Sequence, residues 1–198
     1  RPAQRAVDAA DDMGSRLVRV FGFEVQGGEK RTAAIKRIAA SLMPVLDTAR
    51  ARSVNVAVEN GGSFRTPEEL MELFEACEQH PHLKAVYDPC VGRSSGAMLE
   101  EAIKMLGNRL GMVRVRTRDD SGTPKPTTPA EARSISGDLA ASSFNGWVSV
   151  EWPVAWVPEL VETHGEASDV LKNIADALRM SMPATSVLVS DPRVAVGV

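Results

Sequence analysis

The sequence predicts an α/β protein whose parallel strands curl into part of a barrel. Short apolar segments alternate with longer segments of helical periodicity, at intervals of about thirty residues. A parallel return needs a crossover helix, so this alternation favours a parallel sheet. Each strand is aliphatic on one face and polar on the other. That pattern is typical of a barrel with polar groups in its lumen rather than of an open sheet covered by helices on both faces.

Five strands are predicted, at residues 17–23, 54–60, 83–88, 111–119 and 147–152. Helices are predicted at residues 3–13, 31–49, 66–77, 95–106, 129–143 and 168–180. The start of the third helix is the best defined, because Thr66 and Glu69 form a capping box around Pro67.

The composition predicts one soluble domain in a reducing compartment. The net charge of −3 and the pI of about 5.7 give no basic field for a phosphate backbone, so no nucleic-acid partner is expected. Two cysteines, Cys77 and Cys90, cannot form a disulfide framework. No apolar run is long enough to cross a membrane. We therefore expect a cytoplasmic protein with no membrane partner.

The strand GMVRVRTRD has an arginine at every second position. Alternate residues of a strand share one face, so the arginines lie opposite the apolar side. Three other strands end on carboxylates, which are Glu59, Asp88 and Glu151. The functional groups of a barrel lie at the carboxyl ends of its strands, and Arg116 lies at the same level along the barrel axis as the three carboxylates. We expect Arg116 to face them, because a buried guanidinium needs a partner. The pattern is equally consistent with Arg114 and Arg118 facing the lumen and with their facing solvent.

Four segments carry a resemblance to a known family: VNVAVENGGSFRTPEEL, KAVYDPCVG, GMVRVRTRD and GWVSVEW. In this order they resemble the later strands of the xylose-isomerase-like TIM barrels, which include sugar isomerases, epimerases and related dehydratases. The resemblance implies a (βα)8 barrel of which this chain carries strands four to eight. Residues 1–182 would then be a barrel domain without its amino-terminal strands, followed by a tail at 183–198. We expect a longer protein, a homo-oligomer or a second chain to complete the barrel.

The resemblance also implies a site and a reaction. In that family a divalent metal lies at the barrel mouth, and two glutamates move a proton next to a carbonyl. Carried over, Glu59, Asp88 and Glu151 would be metal ligands, and Glu59 and Glu151 the acid and base. Carboxylates suit Mg²⁺ or Mn²⁺ better than Zn²⁺. The substrate would be a small polyhydroxy carbonyl compound contacted by Arg116, Trp156 and Cys90.

Two departures from the family pattern open an alternative. Arg116 and Val91 stand where that family has histidines, and arginine offers no lone pair to a metal. In the alternative, the Arg116 guanidinium replaces the cation through charge-assisted hydrogen bonds to the carboxylates. The protein would then be a non-catalytic barrel whose mouth is a ligand-binding or interaction surface. His80 and His82 precede a strand, away from the mouth, and are predicted to be structural or solvated.

Overall fold

A curled parallel sheet organises the protein, as the sequence predicts. The computed structural model describes residues 2–21, 23–119, 121–142 and 144–179, and the backbone of 187–189. The strands are β1 (Leu17–Val20), β2 (Asn55–Glu59), β3 (Leu83–Tyr87), β4 (Leu110–Val115), β5 (Thr117–Arg118), β6 (Pro124–Lys125), β7 (Trp147–Val150) and β8 (Val187–Val189). Six of them pair in the order β1-β2-β3-β4-β7-β8, all parallel, and β5 and β6 form a short antiparallel pair.

Helices connect the strands of this sheet. Within the described residues they are α1 (Pro2–Asp12), α2 (Arg31–Ala51), α3 (Pro67–Ala76), α4 (Pro89–Arg93), α5 (Leu99–Leu106), α6 (Pro129–Ala141), α7 (Glu159–His164) and α8 (Ala167–Arg179). The predicted capping box of α3 is confirmed, since the Thr66 hydroxyl accepts the Glu69 N–H at 3.4 Å and Glu69 Oε2 accepts the Thr66 N–H at 3.0 Å. None of the described helices is both long and apolar enough to cross a membrane.

Several element boundaries differ from the sequence prediction; β1, for example, ends at Val20 rather than at residue 23. The predicted strand at 111–119 is two strands, because the chain leaves the sheet after Val115 and pairs with β6 instead. The predicted helix at 95–106 begins only at Leu99, and α4 precedes it directly after β3. Asp88 starts α4 by accepting the N–H groups of Cys90 at 2.8 Å and Val91 at 3.3 Å. The predicted tail at 183–198 lies outside the described residues except for 187–189, and the domain limits stay a prediction.

The aliphatic face of the sheet packs outward under the helices. In β2, Val56 and Val58 are buried in one core cluster with Leu42 and Leu46 of α2. Alternation then turns Ala57 and Glu59 to the lumen face.

The pairing of β3 with β4 contains one extra residue. Ala85 lies beside Leu110, but the next residue, Val86, lies beside Met112, so Gly111 has no partner of its own. A Cβ atom at Gly111 would lie 3.3 Å from the Lys84 Cβ, which favours glycine at this position.

The turn before β3 contains a buried histidine. The His80 side chain is 7% exposed, and its Nδ1 accepts the His82 backbone N–H at 3.3 Å. Its Nε2 has no hydrogen-bond partner in the described part of the chain. Burial lowers the pKa of His80 below its ordinary value of 6.5, as do the charges of Arg50 and His82, whereas Asp47 acts in the opposite direction.

Acidification is therefore expected to destabilise the protein through His80. The fold holds the neutral ring, so this contribution is complete above pH 6.5 and is lost as the pH falls through the lower folded pKa. In His80→Gln, the free energy of unfolding measured in urea should fall less between neutral pH and about pH 5 than in wild type. His164→Gln, at an exposed histidine, should keep the wild-type dependence. Equal pH dependence in wild type and His80→Gln would contradict the prediction.

Candidate functional site at the barrel mouth

The ends of three strands bring three carboxylates to one edge of the sheet. Glu59 ends β2, Asp88 follows β3 and Glu151 follows β7. Their side chains are 7%, 0% and 21% exposed. Buried carboxylates are stable only when they are paired, so their partners define the chemistry of the site.

Arg114 lies at the centre of the site. Its Nη1 donates to Glu59 Oε1 at 2.5 Å, and its Nη2 donates to Glu151 Oε2. The two glutamates predicted as acid and base therefore converge on one guanidinium, although they come from strands that are not neighbours. Burial lowers the pKa of Arg114 below its ordinary value, whereas Glu59 acts to raise it. The sequence left the position of Arg114 open, and the structure places it in the lumen.

Two further arginines complete the cluster. Arg116 donates from Nε to Asp88 Oδ2, so it has the kind of partner that its predicted position requires. Arg19 of β1 places its Nη1 2.9 Å from Glu59 Oε2. Arg19 is not among the predicted site residues, although the alternation in LVRV puts it on the face opposite Val18 and Val20. Arg19 lies beside Ala57, which shares the lumen face with Glu59. We call Arg19, Arg114, Arg116, Glu59, Asp88 and Glu151 the mouth cluster.

Asp88 has both carboxylate oxygens in use. Oδ1 caps α4, and Oδ2 accepts from Arg116. Its backbone is also held, because Asn60 Oδ1 accepts the Asp88 N–H at 2.6 Å and Asn60 Nδ2 donates to the Asp88 carbonyl at 3.1 Å. These bonds tie the ends of β2 and β3 together and fix the position of Asp88.

The remaining predicted site residues lie around this cluster. Cys90 is half-buried in the first turn of α4, next to Asp88. Trp156 is 70% exposed on the turn that follows β7. Their contacts with a substrate stay predictions. Arg118 lies in β5, where it donates to the Gly122 carbonyl at 2.6 Å on the exposed surface, apart from the three carboxylates.

The mouth cluster does not fit the divalent metal that the family resemblance implies. Every carboxylate of the predicted ligand set is paired with a guanidinium. A divalent cation there would be repelled by three neighbouring positive charges and would have to displace their bonds. Within the described part of the chain, no group of three His, Cys, Asp or Glu side chains is arranged to hold a metal ion.

A partial (βα)8 barrel with a polar mouth is the class that the fold and the site define. The chain belongs to the family described as xylose isomerase-like TIM barrel, whose model matches residues 1–174. This confirms the resemblance seen in the sequence. No curated protein matches the chain.

Solved structures of sugar epimerases share this fold. An L-ribulose 3-epimerase is 16% identical, with a TM-score of 0.65, and the match covers 93% of this chain and 71% of that chain. A D-allulose 3-epimerase from Methylomonas sp. is 14% identical, with a TM-score of 0.70 and coverages of 91% and 68%. A 3-keto-D-glucoside 4-epimerase from E. coli is 16% identical, with a TM-score of 0.66, and the match covers 90% of this chain and 68% of that chain. At these identities the similarity shows the fold, and the activity is a separate question.

Proposed function

We propose that the protein binds a small polyhydroxy carbonyl compound at the barrel mouth, with guanidinium groups in place of a divalent metal. The observation that carries the proposal is Arg114, which bridges Glu59 and Glu151 in the lumen. A guanidinium can donate to a carbonyl oxygen and the carboxylates can accept from hydroxyls, so the mouth cluster offers both partners that a sugar-like molecule needs. The epimerase names of the similar structures agree with this class of ligand.

A second candidate is an isomerase or epimerase reaction, favoured by the convergence of Glu59 and Glu151 on one guanidinium. One glutamate would take the proton from the carbon next to the carbonyl. The electron pair of that C–H bond would form a carbon–carbon double bond, and the π pair of the carbonyl would move to its oxygen. Arg114 would stabilise the resulting oxyanion. The other glutamate, protonated beforehand, would return a proton to carbon. A ligand would first have to replace part of the ion pairing, since a paired carboxylate is a weaker base.

Manganese is expected to leave the thermal unfolding of the wild-type protein unchanged. Arg116→His should gain a response, because it removes one guanidinium and supplies a nitrogen ligand beside Asp88. A ligand at about 100 times its Kd adds about 2.7 kcal/mol, and a domain of this size shifts by about 2–4 °C per kcal/mol. The midpoint of Arg116→His should therefore rise by several degrees.

Arg118→His is the matched control, since it places a histidine on the exposed hairpin of the same chain segment. It should respond to manganese as the wild type does. A manganese-dependent rise in the wild-type midpoint would contradict the replacement of the metal by arginine.

Two measurements separate binding from catalysis. Calorimetric titration with D-allulose and L-ribulose tests the binding of neutral polyhydroxy carbonyl compounds. Proton exchange next to the carbonyl, followed by NMR in D₂O, tests the transfer step. Exchange that Glu59→Gln and Glu151→Gln each abolish would establish the enzyme. Binding without exchange would support the binding protein alone.

A further inference from the structure

One buried oxygen of the mouth cluster has no hydrogen-bond donor among the described residues. Glu59 is 7% exposed in its side chain, and its Oε1 is taken by Arg114. Its Oε2 is buried and accepts no hydrogen bond from any described residue. Arg19 Nη1 lies 2.9 Å away, but the contact lacks the alignment of a hydrogen bond and is an ion pair only. A buried carboxylate oxygen that has an ion pair but no aligned donor is only partly compensated for its lost water, so a hydroxyl hydrogen from a ligand would stabilise it.

The Arg19 guanidinium is the accessible cation of the cluster. Its side chain is 37% exposed, compared with 12% for Arg114 and 21% for Arg116. Its central carbon lies 5.2 Å from the centre of the Phe21 ring, a side chain that is itself 67% exposed at the end of β1. This cation–π contact holds the guanidinium in place while the N–H groups stay available. A guanidinium in this state is suited to a two-pronged contact with an oxyanion.

The Glu59 oxygen and the Arg19 guanidinium are neighbours. The acceptor that needs a hydroxyl and the cation that suits an oxyanion are 2.9 Å apart. A ligand that meets both must carry its hydroxyl and its charged oxygen close together. In a 2-hydroxy carboxylate these two oxygens are three bonds apart. In a phosphate ester, the nearest hydroxyl and the charged oxygen are separated by five bonds, and a neutral ketose has no charged oxygen.

We propose that the mouth recognises a polyhydroxy carboxylate, which is a sugar acid. Arg19 binds the carboxylate, Glu59 Oε2 accepts the neighbouring hydroxyl, and the exposed ring of Phe21 borders the ligand. This inference rests on the proposed binding function and assigns the ligand a carboxylate group in addition to its hydroxyls. Arg19 is a specificity residue in this scheme, whereas the paired Arg114 and Arg116 hold the carboxylates of the site.

Calorimetric titration with three probes tests the inference: D-gluconate, neutral D-fructose and D-glucose 6-phosphate. We expect D-gluconate to bind tightest. Arg19→Met should weaken D-gluconate by about 10-fold to 100-fold, the usual size of a charge-assisted contact, and should weaken D-fructose by a smaller factor, because D-fructose has no charged oxygen. Arg19→Lys, which keeps the charge but not the planar fork, should lie between wild type and Arg19→Met. Arg118→Met, on the exposed hairpin, is the control and should bind all three probes as wild type does.

The outcomes separate the two levels of the proposal. If D-fructose binds and D-gluconate does not, the sugar-acid inference is wrong and the proposed binding function stands. If D-glucose 6-phosphate binds tightest and depends on Arg19, the ligand is a phosphate ester and the inference from neighbouring oxygens is wrong. If no probe binds to a protein that unfolds cooperatively, both proposals are wrong. Equal weakening of D-gluconate and D-fructose by Arg19→Met would also overturn the inference.

Discussion

Arg114→Met is expected to lower the free energy of unfolding by about 1.5–3 kcal/mol, the usual contribution of a hydrogen bond to a charged group, because Glu59 keeps its ion pair with Arg19. Glu59 is 7% exposed and depends on Arg114 for its one aligned guanidinium contact, because Arg19 approaches without a hydrogen bond. The same substitution also releases Glu151, which is less buried and can regain water. Methionine fills similar space, so the loss reports charge more than packing.

A double variant shows whether the loss arises from Glu59. In urea unfolding, Arg114→Met combined with Glu59→Gln should recover part of the stability, because the second change removes the buried charge that has lost its hydrogen-bonded guanidinium. Arg118→Met, on the exposed hairpin, should stay within about 0.5 kcal/mol of wild type. If Arg114→Met cost no more than Arg118→Met, the mouth cluster would not be the buried network described above.

Gly92→Ala is expected to lower the free energy of unfolding by about 1–3 kcal/mol through overpacking. A Cβ atom at this position of α4 would lie 2.0 Å from the Tyr87 hydroxyl oxygen and 2.7 Å from the ring carbon that bears it. The Tyr87 ring is fully buried and cannot move aside. Its hydroxyl has no partner among the described residues, and burial raises its pKa to about 12. Close approach of the helix to this ring therefore requires glycine.

The companion variants for Gly92→Ala are Tyr87→Phe and Gly137→Ala. Removing an unpartnered buried hydroxyl should leave stability unchanged or slightly raised, and should partly rescue Gly92→Ala because the ring carbon remains in contact. Gly137, exposed in α6, has no atom within 4 Å of an added Cβ. Gly137→Ala should therefore raise stability by about 0.5–1 kcal/mol. Stabilisation of the same size by Gly92→Ala, measured in urea, would contradict the close contact.

The fold was predictable because buried strands and helices repeat their apolar residues at two different periods, about 2 and about 3.6 residues. In β2, alternation alone separates Val56 and Val58, which are in the core, from Glu59, which is in the lumen. The start of α4 was missed although its signal was present: an aspartate followed by proline, at Asp88 and Pro89, is a typical helix start.

The pairing within the mouth cluster was less predictable. Sequence alternation puts Arg114 and Arg116 on one face, and height favoured Arg116 as the partner of the carboxylates. The structure pairs Arg114 with Ser149 in the sheet, two residues below Glu151 on the same face. Two residues of strand span about 6.6 Å, which a long arginine side chain can cross. The alternation of faces along a strand can be predicted from the sequence, but the distance that a long side chain spans across the sheet cannot.

The unpaired Gly111 has an effect at the far end of its strand. Below it, Leu110 points toward the helices beside Ala85; above it, Met112 points inward beside Val86. If Gly111 paired with Val86 and the lower pairing were kept, Met112 would lie beside Tyr87, so Arg114 would face the helices and its valine neighbours would face the interior. The one extra residue at Gly111 therefore determines that the charged side chains of β4, and not its valines, face the interior of the barrel.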